Sequence, residues 1–236
     1  MSARGAGLAR NDPAQYDDLA DQWWDPFGPF CMLHWLAASR AAHVPPASAP
    51  GAVLVDLACG GGLMAPHVAR LGYRHVGVDL GLPGLLSARD HGVLPVRGSV
   101  LAVPIADGCA DVVVAGEVLE HVEDDVAVLA ECARLLKPGG TLVVDAVAAT
   151  WLADLVAVRI VEMIRAAPKG IHDPALFVDR GRLVAAAEDL GLDLRLVGLR
   201  PSVRDVVGWL RRRREIVRMR PLATTAVLFA GYGTKR

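Results

Sequence analysis

Residues 55–63 read V-D-L-A-C-G-G-G-L. A short apolar run carrying a single acid passes into three consecutive glycines, and a helix-like segment follows to Leu71. Glycine lets the backbone approach a ligand closely and adopts positive φ without penalty. The helix N-terminus behind such a turn offers free N–H groups. The stretch therefore reads as strand, glycine loop and helix, the opening unit of an open α/β sheet that binds its ligand outside the carboxyl end of the first strand. Gly60, Gly62 and Ala65 also fit the dinucleotide form G-x-G-x-x-A, so the loop by itself does not select a ligand. Asp56 lies inside the strand, four residues before Gly60, and is placed to face a ligand's ammonium group, which a diphosphate would not demand.

Working outward from the loop, strand and helix alternate. Residues 53–58, 75–79, 94–98, 111–116 and 141–145 read as strands. Residues 83–91 and 124–136 read as helices, the second stopped by K-P-G-G at 137–140. Later come helical patterns at 152–165 and 180–190 and strands at 192–199 and 224–230. The expected fold is α/β and Rossmann-like: a seven-stranded, mostly parallel sheet with helices on both faces. Upstream, residues 13–43 look helical, with Tyr16, Leu19, Ala20, Trp23 and Trp24 near one face, and PPASAPG at 45–51 is a linker. The expected organisation is a loose tail over the first ten residues within an N-terminal helical lid segment, 1–50. A main domain, 51–236, follows and includes a substrate-side helical insertion at 150–220.

Composition excludes several classes. Apolar residues make up 53% of the 236, which rules out wholesale disorder, and the formal charge of -1 argues against a phosphate-backbone partner. The start, MSARGAGLARNDPAQYDD, has no apolar core and does not read as a secretory signal. The most apolar stretch, 141–164, is interrupted by Asp145, Asp154, Arg159 and Glu162, so it does not read as a membrane span. Cys31, Cys59, Cys109 and Cys132 form no C-x-x-C pair, which favours reduced thiols in a cytoplasmic protein.

Two further motifs narrow the reading: G-E-V-L-E-H-V at 116–122 and L-L-K-P-G-G at 135–140. With the glycine loop they resemble class I S-adenosylmethionine-dependent methyltransferases. The resemblance implies cofactor contacts from Asp56, Ala58, Gly60, Gly62 and Gly116. It puts Asp79, which closes the second strand, on the ribose hydroxyls, although Asp79 also suits a helix N-cap. Ser99 takes the place where many such enzymes carry an acid for the adenine amine. A closer resemblance, to ubiquinone-biosynthesis O-methyltransferases, rests on Y-D-D-L-A-D-Q-W-W-D-P at 16–26, F-C-M-L-H-W-L-A-A-S-R at 30–40 and P-K-G-I-H-D at 168–173. It implies a polyprenylated phenol or catechol as acceptor and Arg40 on the cofactor's carboxylate. The sequence departs from that family at residues 146–149, A-V-A-A in place of an Asn–Arg pair, and after Leu199, where Trp209 leads into Arg211, Arg212, Arg213 and Arg214.

Glu117, Glu120 and His121 are the candidate chemistry-bearing residues. If helical, the spacing i, i+3, i+4 puts them on one face of a turn just beyond strand four. Two roles stay open. The trio could bind magnesium bridged to a catechol, or His121 alone could be the general base; a third reading has Glu120 and His121 only shaping the pocket. His172 is a second base candidate, and Trp23 and Trp24 are candidates for a water-excluding lid. The arginine-rich segment suits peripheral contact with an anionic membrane or an ordinary solvated face. The sequence thus points to O-methylation of a catechol, quinol or polyphenol hydroxyl. C- or N-methylation, a non-catalytic binding protein and an NAD-dependent reductase are the rivals, and the oligomeric state stays undetermined.

Overall fold

The computed structural model describes residues 10–156 and 171–236. The loose tail, residues 157–165 of one expected helix, and Pro168, Lys169 and Gly170 lie outside that range almost entirely. Strands run over Val53–Leu57 (β1), Arg74–Asp79 (β2), Leu94–Arg97 (β3), Ala110–Gly116 (β4), Leu136–Val147 (β5), Leu192–Pro201 (β6), Met219–Leu222 (β7) and Leu228–Lys235 (β8). They form one sheet in the order β3-β2-β1-β4-β5-β8-β6-β7. The β3-β2-β1-β4-β5 half is parallel, and β8, β6 and β7 complete it antiparallel. The chain crosses from one side of β1 to the other between β2 and β4, and such a reversal opens a ligand crevice at the carboxyl ends of the strands.

The sheet has eight strands, not the expected seven. The extra one, β7, is a short, largely exposed edge with no apolar alternation to announce it. The last strand starts at Leu228 rather than 224 because its pairing with β5 begins at the Val147–Leu228 rung. The expected 13–43 helix is three pieces: Ala14–Asp17 (α1), a 3-10 turn at Ala20–Gln22, and Cys31–Ala41 (α2). Pro26, Gly28 and Pro29 fall in the break, where proline cannot supply a helical N–H. The insertion at 150–220 is not helical throughout, since β6 runs through it.

Helices cover both faces. Asp125–Leu135 (α5), capped by the Asp124 carboxylate on Ala127 N–H, and Arg180–Asp189 (α7) bury Val128, Leu129, Cys132, Leu183 and Ala187 against Val55, Leu57, Val113, Ala115 and Val144. On the other face, α2 and Ala65–Val68 (α3) bury Ala37 and Val68, together with Trp23 and Phe30, against Leu54, Val112, Val114 and Val143. Leu82–Asp90 (α4) packs Leu85 and Ala88 on Cys59 and Val93. Side chains alternate along a strand. Asp56 follows Leu54, Gly116 follows Val114, and Asp145 follows Val143, each by two residues. All three therefore face the N-terminal segment, and that parity assembles the site.

Candidate active site

The glycine loop bends through the left-handed region three times, at Ala58 (φ 55), Gly60 (φ 50) and Gly62 (φ 79). Two of those positions carry glycine, for which the bend is free. Ala58 bears it with a side chain, a strain of roughly 1 kcal/mol. Asp79 holds the loop in place: Gly60 N–H donates to its Oδ2 at 2.9 Å and Gly81 N–H to its Oδ1 at 2.8 Å. Asp79 is not the N-cap of α4: Gly81 takes that position with no side-chain cap hydrogen bond, and the Asp79 carboxylate instead ties the glycine loop to the turn that leads into α4. Burial raises the Asp79 pKa, opposed by those two N–H groups.

A second reason for the glycines lies outside the loop. A Cβ at Gly60 would stand 2.5 Å from Trp23 Cη2, and one at Gly61 would stand 2.5 Å from Trp23 Cγ. The indole lies across the loop, stacked on Phe30 at 4.1 Å, while Trp24 Nε1 donates to Gly61 O at 3.1 Å. The tryptophan pair therefore anchors the N-terminal segment on the loop and covers it.

Arg40, on α2, takes a partner that sequence reading missed. Its Nε and one terminal nitrogen donate to the Asp145 carboxylate at 2.7 and 2.8 Å, and the two residues are 8% and 1% exposed. Burial disfavours the Arg40 charge, but Asp145 outweighs it and the pKa is raised. The guanidinium passes directly over Gly116, where a Cβ would sit 1.9 Å from Cζ, so β4 must end in glycine. The one available signal was an acid inside the apolar run L-V-V-D-A-V of β5. Asp56 also has a partner, His75, whose Nε2 lies 3.3 Å from its Oδ2. Ser99 Oγ accepts the Leu101 N–H at 3.1 Å in a local turn, and its neighbour Val100 lines the cavity described below.

The Glu117, Glu120 and His121 trio does not share a helical face. Glu117 has φ 51, and only Leu119–His121 follow as a 3-10 turn. Glu120 is fully buried and its Oε1 accepts from Val147 N–H at 3.3 Å, so it braces the end of β5 and does not line the cavity. Among the described residues no three His, Cys, Asp or Glu side chains are grouped to hold a metal ion. The magnesium expectation at Glu117, Glu120 and His121 therefore finds no support. Burial, then Glu120 and Asp145, push the Glu117 pKa well up, and its buried Oε1 has no partner. Burial, with the nearby Asp145 charge adding to it, pushes the Glu120 carboxyl up to about 8. His121 goes the other way: burial, with some help from His172, lowers it to about 3. His172 stacks on His121 at 5.6 Å, so the structure brings the two base candidates together. Sequence reasoning missed Asn11 and the Tyr16 hydroxyl, which both contact His121 from the N-terminal segment.

The Glu120 shift predicts a pH dependence. A neutral carboxyl favoured by folding contributes stability that is fully present below its ordinary pKa near 4.5 and is lost as pH rises to about 8. Thermal unfolding of Glu120→Gln is expected to show a flatter decline over that window than the parent protein. Parallel profiles would show that Glu120 is ionised in the fold.

These parts line one cavity of about 690 Å³. Its lining includes Asp56, Ala58, Gly60, Asp79, Gly116 and Arg40, and also Glu117, His121 and His172. Apolar side chains from α2 and from the last third of the chain line the same cavity: Trp35, Val206, Trp209, Leu210, Met219 and Leu222. Val206, Trp209 and Leu210 belong to Val203–Leu210 (α8), whose Trp209 Nε1 donates to Pro26 O at 2.9 Å and thereby closes the C-terminal end onto the N-terminal segment. Acids beside a strained glycine cradle at the sheet's switch point suit an adenosyl amino acid, with an ammonium for Asp56 and hydroxyls for Asp79.

Comparison with known proteins agrees. A family described as methyltransferase domain matches residues 55–144. The chain is 36% identical over 189 residues to the ubiquinone biosynthesis O-methyltransferase of Methylococcus capsulatus, covering 76% of this chain and 80% of that one. It is 35% identical over 199 residues to the protein of the same name from Nitrosococcus oceani, covering 80% and 84%. A solved SAM-dependent methyltransferase from Thermotoga maritima superimposes with a TM-score of 0.66 at 18% identity, over 94% of this chain and 98% of that one, a likeness of fold. With a glycine cradle, a switch-point cavity and relatives matched over most of their length, the chain is a class I S-adenosylmethionine-dependent methyltransferase and belongs to the ubiquinone biosynthesis O-methyltransferase family.

Proposed function

We propose that the protein methylates a ring hydroxyl of a quinol or catechol that carries a hydrocarbon tail, with His121 as general base. The observation that carries this reading is that one cavity is lined by the glycine cradle, by His121 and by the apolar side chains of α8 and β7. The relatives named for O-methylation in ubiquinone biosynthesis support it. S-adenosylmethionine supplies the methyl group on a sulfonium, an electrophile that needs no further activation. A phenol keeps its proton up to a pH of about 10, so the protein must take it. His121 is unprotonated at neutral pH and, because burial makes it a weak base, takes that proton only in concert with attack by the acceptor oxygen; the imidazolium then returns the proton to water. Glu117, kept protonated by burial and its acidic neighbours, donates a hydrogen bond to the second ring oxygen. Asp56 and Asp79 hold the ammonium and ribose, and the N-terminal segment, anchored by Trp23 on the loop, acts as the lid.

Among the described residues no helix is long and apolar enough to cross a membrane. Val203, Val207 and Leu210 form an exposed apolar stripe on α8 beside Arg211, Arg212 and Arg213, which suits peripheral contact with anionic lipid. Methyl transfer to one quinol bearing no tail, one isoprene unit or three tests the assignment. Burial contributes about 0.8 kcal/mol per CH₂, so kcat/KM should rise at least tenfold from the first to the last. Equal rates would remove the tail from the reading; transfer to a ring amine in preference to the hydroxyl would remove the acceptor.

A further inference from the structure

His121 is held from behind by a residue outside the methyltransferase domain match, and that contact settles which of its ring nitrogens is basic. Asn11 Nδ2 donates to the His121 backbone carbonyl at 3.0 Å. A carbonyl oxygen can only accept, so the amide has one allowed orientation: its NH₂ faces the carbonyl and its Oδ1 faces the ring. Asn11 Oδ1 is in hydrogen-bond contact with His121 Nδ1. An amide oxygen can only accept in turn, so Nδ1 must carry the hydrogen. A neutral imidazole has one N–H, which leaves the lone pair on Nε2. Nε2 lies 3.4 Å from the Tyr16 hydroxyl, and Tyr16 and His121 both line the cavity. Tyr16 is in the right state to donate to that lone pair, because burial, then Glu120 and Glu117, raise its pKa and keep it a phenol. The two contacts on the ring, made by different residues, therefore require the same tautomer.

We propose that Asn11 is the positioning residue for the His121 base: it fixes the Nδ1–H tautomer and presents the Nε2 lone pair to the acceptor hydroxyl, in the place that the Tyr16 hydroxyl fills while no acceptor is bound. The proposal rests on the assignment of His121 as base. It couples the N-terminal segment to chemistry as well as to shielding, because the base has its working tautomer only when residues 10–30 are docked. Asn11 itself has φ 62, a backbone conformation that asparagine tolerates better than other side chains, and Ala14 N–H donates to Asp12 just beyond it, so the clamp sits on a locally defined turn. The proton count is complete: the acceptor's hydrogen goes to Nε2, the Nδ1 hydrogen stays on the ring and is donated to Asn11 Oδ1, and the imidazolium loses the Nε2 proton to water after transfer. Asn11 also lines the cavity, but both polar atoms of its amide are committed to His121, so its effect passes through the ring.

The test is nitrogen-resolved NMR of the histidine-labelled full chain with S-adenosylhomocysteine bound, beside steady-state kinetics with a verified quinol. In the parent protein His121 should be protonated at Nδ1 and bare at Nε2. Asn11→Leu, close in shape but unable to accept, should release the ring to the other tautomer or a mixture. It should lower kcat at least tenfold and leave the KM for S-adenosylmethionine unchanged. Asn11→Asp keeps an acceptor on Nδ1–H while losing the donor to the His121 carbonyl, so it should retain the tautomer and recover part of the kcat lost in Asn11→Leu, which separates positioning from simple loss of structure. A parent ring protonated at Nε2 overturns the role of Asn11 whatever His121 does, as does an Asn11→Leu protein with parental tautomer and kcat. If His121→Ala keeps full turnover while the parent ring is Nδ1–H, the base assignment is what failed, and the proposal falls with it.

Discussion

Replacing His121 by alanine is expected to lower turnover at least a hundredfold while S-adenosylhomocysteine binds with parental affinity. The magnitude is about that of a lost general base, 10²–10⁴-fold. The split between kcat and binding follows from position. The cradle and the acids that suit the cofactor come from the ends of β1 and β2, Ala58 to Gly62 and Asp79, whereas His121 comes from the 3-10 turn after β4, on the far side of the switch point. The ring makes side-chain contacts with Asn11, Tyr16 and His172, none of them in the loop, so its removal leaves the cradle unchanged. Isothermal titration with S-adenosylhomocysteine and single-turnover methyl transfer measure the two quantities separately. Parental turnover in His121→Ala would make the L-E-H segment a structural feature alone, and a parallel loss of cofactor affinity would place the ring on the wrong reactant.

Arg40→Met should destabilise the fold by about 3–5 kcal/mol, the cost of leaving one member of a buried pair without the other. Methionine fills most of the arginine's stem volume, so the effect isolates the charge. Asp145 would then lie 1% exposed with its two hydrogen bonds from Arg40 gone. Adding Asp145→Asn should recover most of the loss, because the stranded charge disappears. Asp145→Asn alone should cost less than Arg40→Met, since the Asp56 carboxylate still faces the guanidinium. Urea denaturation at constant m measures all three variants. A loss under about 1 kcal/mol in Arg40→Met would mean that the pair is solvated in the native protein and that Arg40 is free for a ligand's carboxylate.

The contrast between these two residues shows where sequence reading reaches its limit. The glycine loop was legible because each of its requirements is local: a positive φ at Gly60 and Gly62 and a strand that runs straight into them. The alternation of strands and helices was legible for the same reason, since a period of two or of 3.6 is written within a dozen residues. The Glu117, Glu120 and His121 trio was misread because its spacing was projected onto an α-helix. The chain instead turns left-handed at Glu117 and forms a single 3-10 turn, which sends Glu120 into the core and leaves Glu117 and His121 at the cavity. The eighth strand was invisible because an edge of four mostly exposed residues needs no hydrophobic pattern; β7 forms because β6 offers it a row of backbone partners.

By itself, then, the sequence determined the α/β class, the ligand loop, the family and the identity of the base candidate, all encoded in short-range pattern and residue type. Tertiary structure decided which groups those residues meet. Arg40 finds Asp145 across 105 positions, and His121 finds Asn11 across 110. The physical reason is that a charge or a lone pair is satisfied by whatever the packed sheet and its N-terminal cover bring within about 3 Å, a distance that no local period encodes. Strand parity places Asp56, Gly116 and Asp145 on one face, the indole of Trp23 closes that face over the glycines, and only in that assembly does one nitrogen of His121 become the basic one.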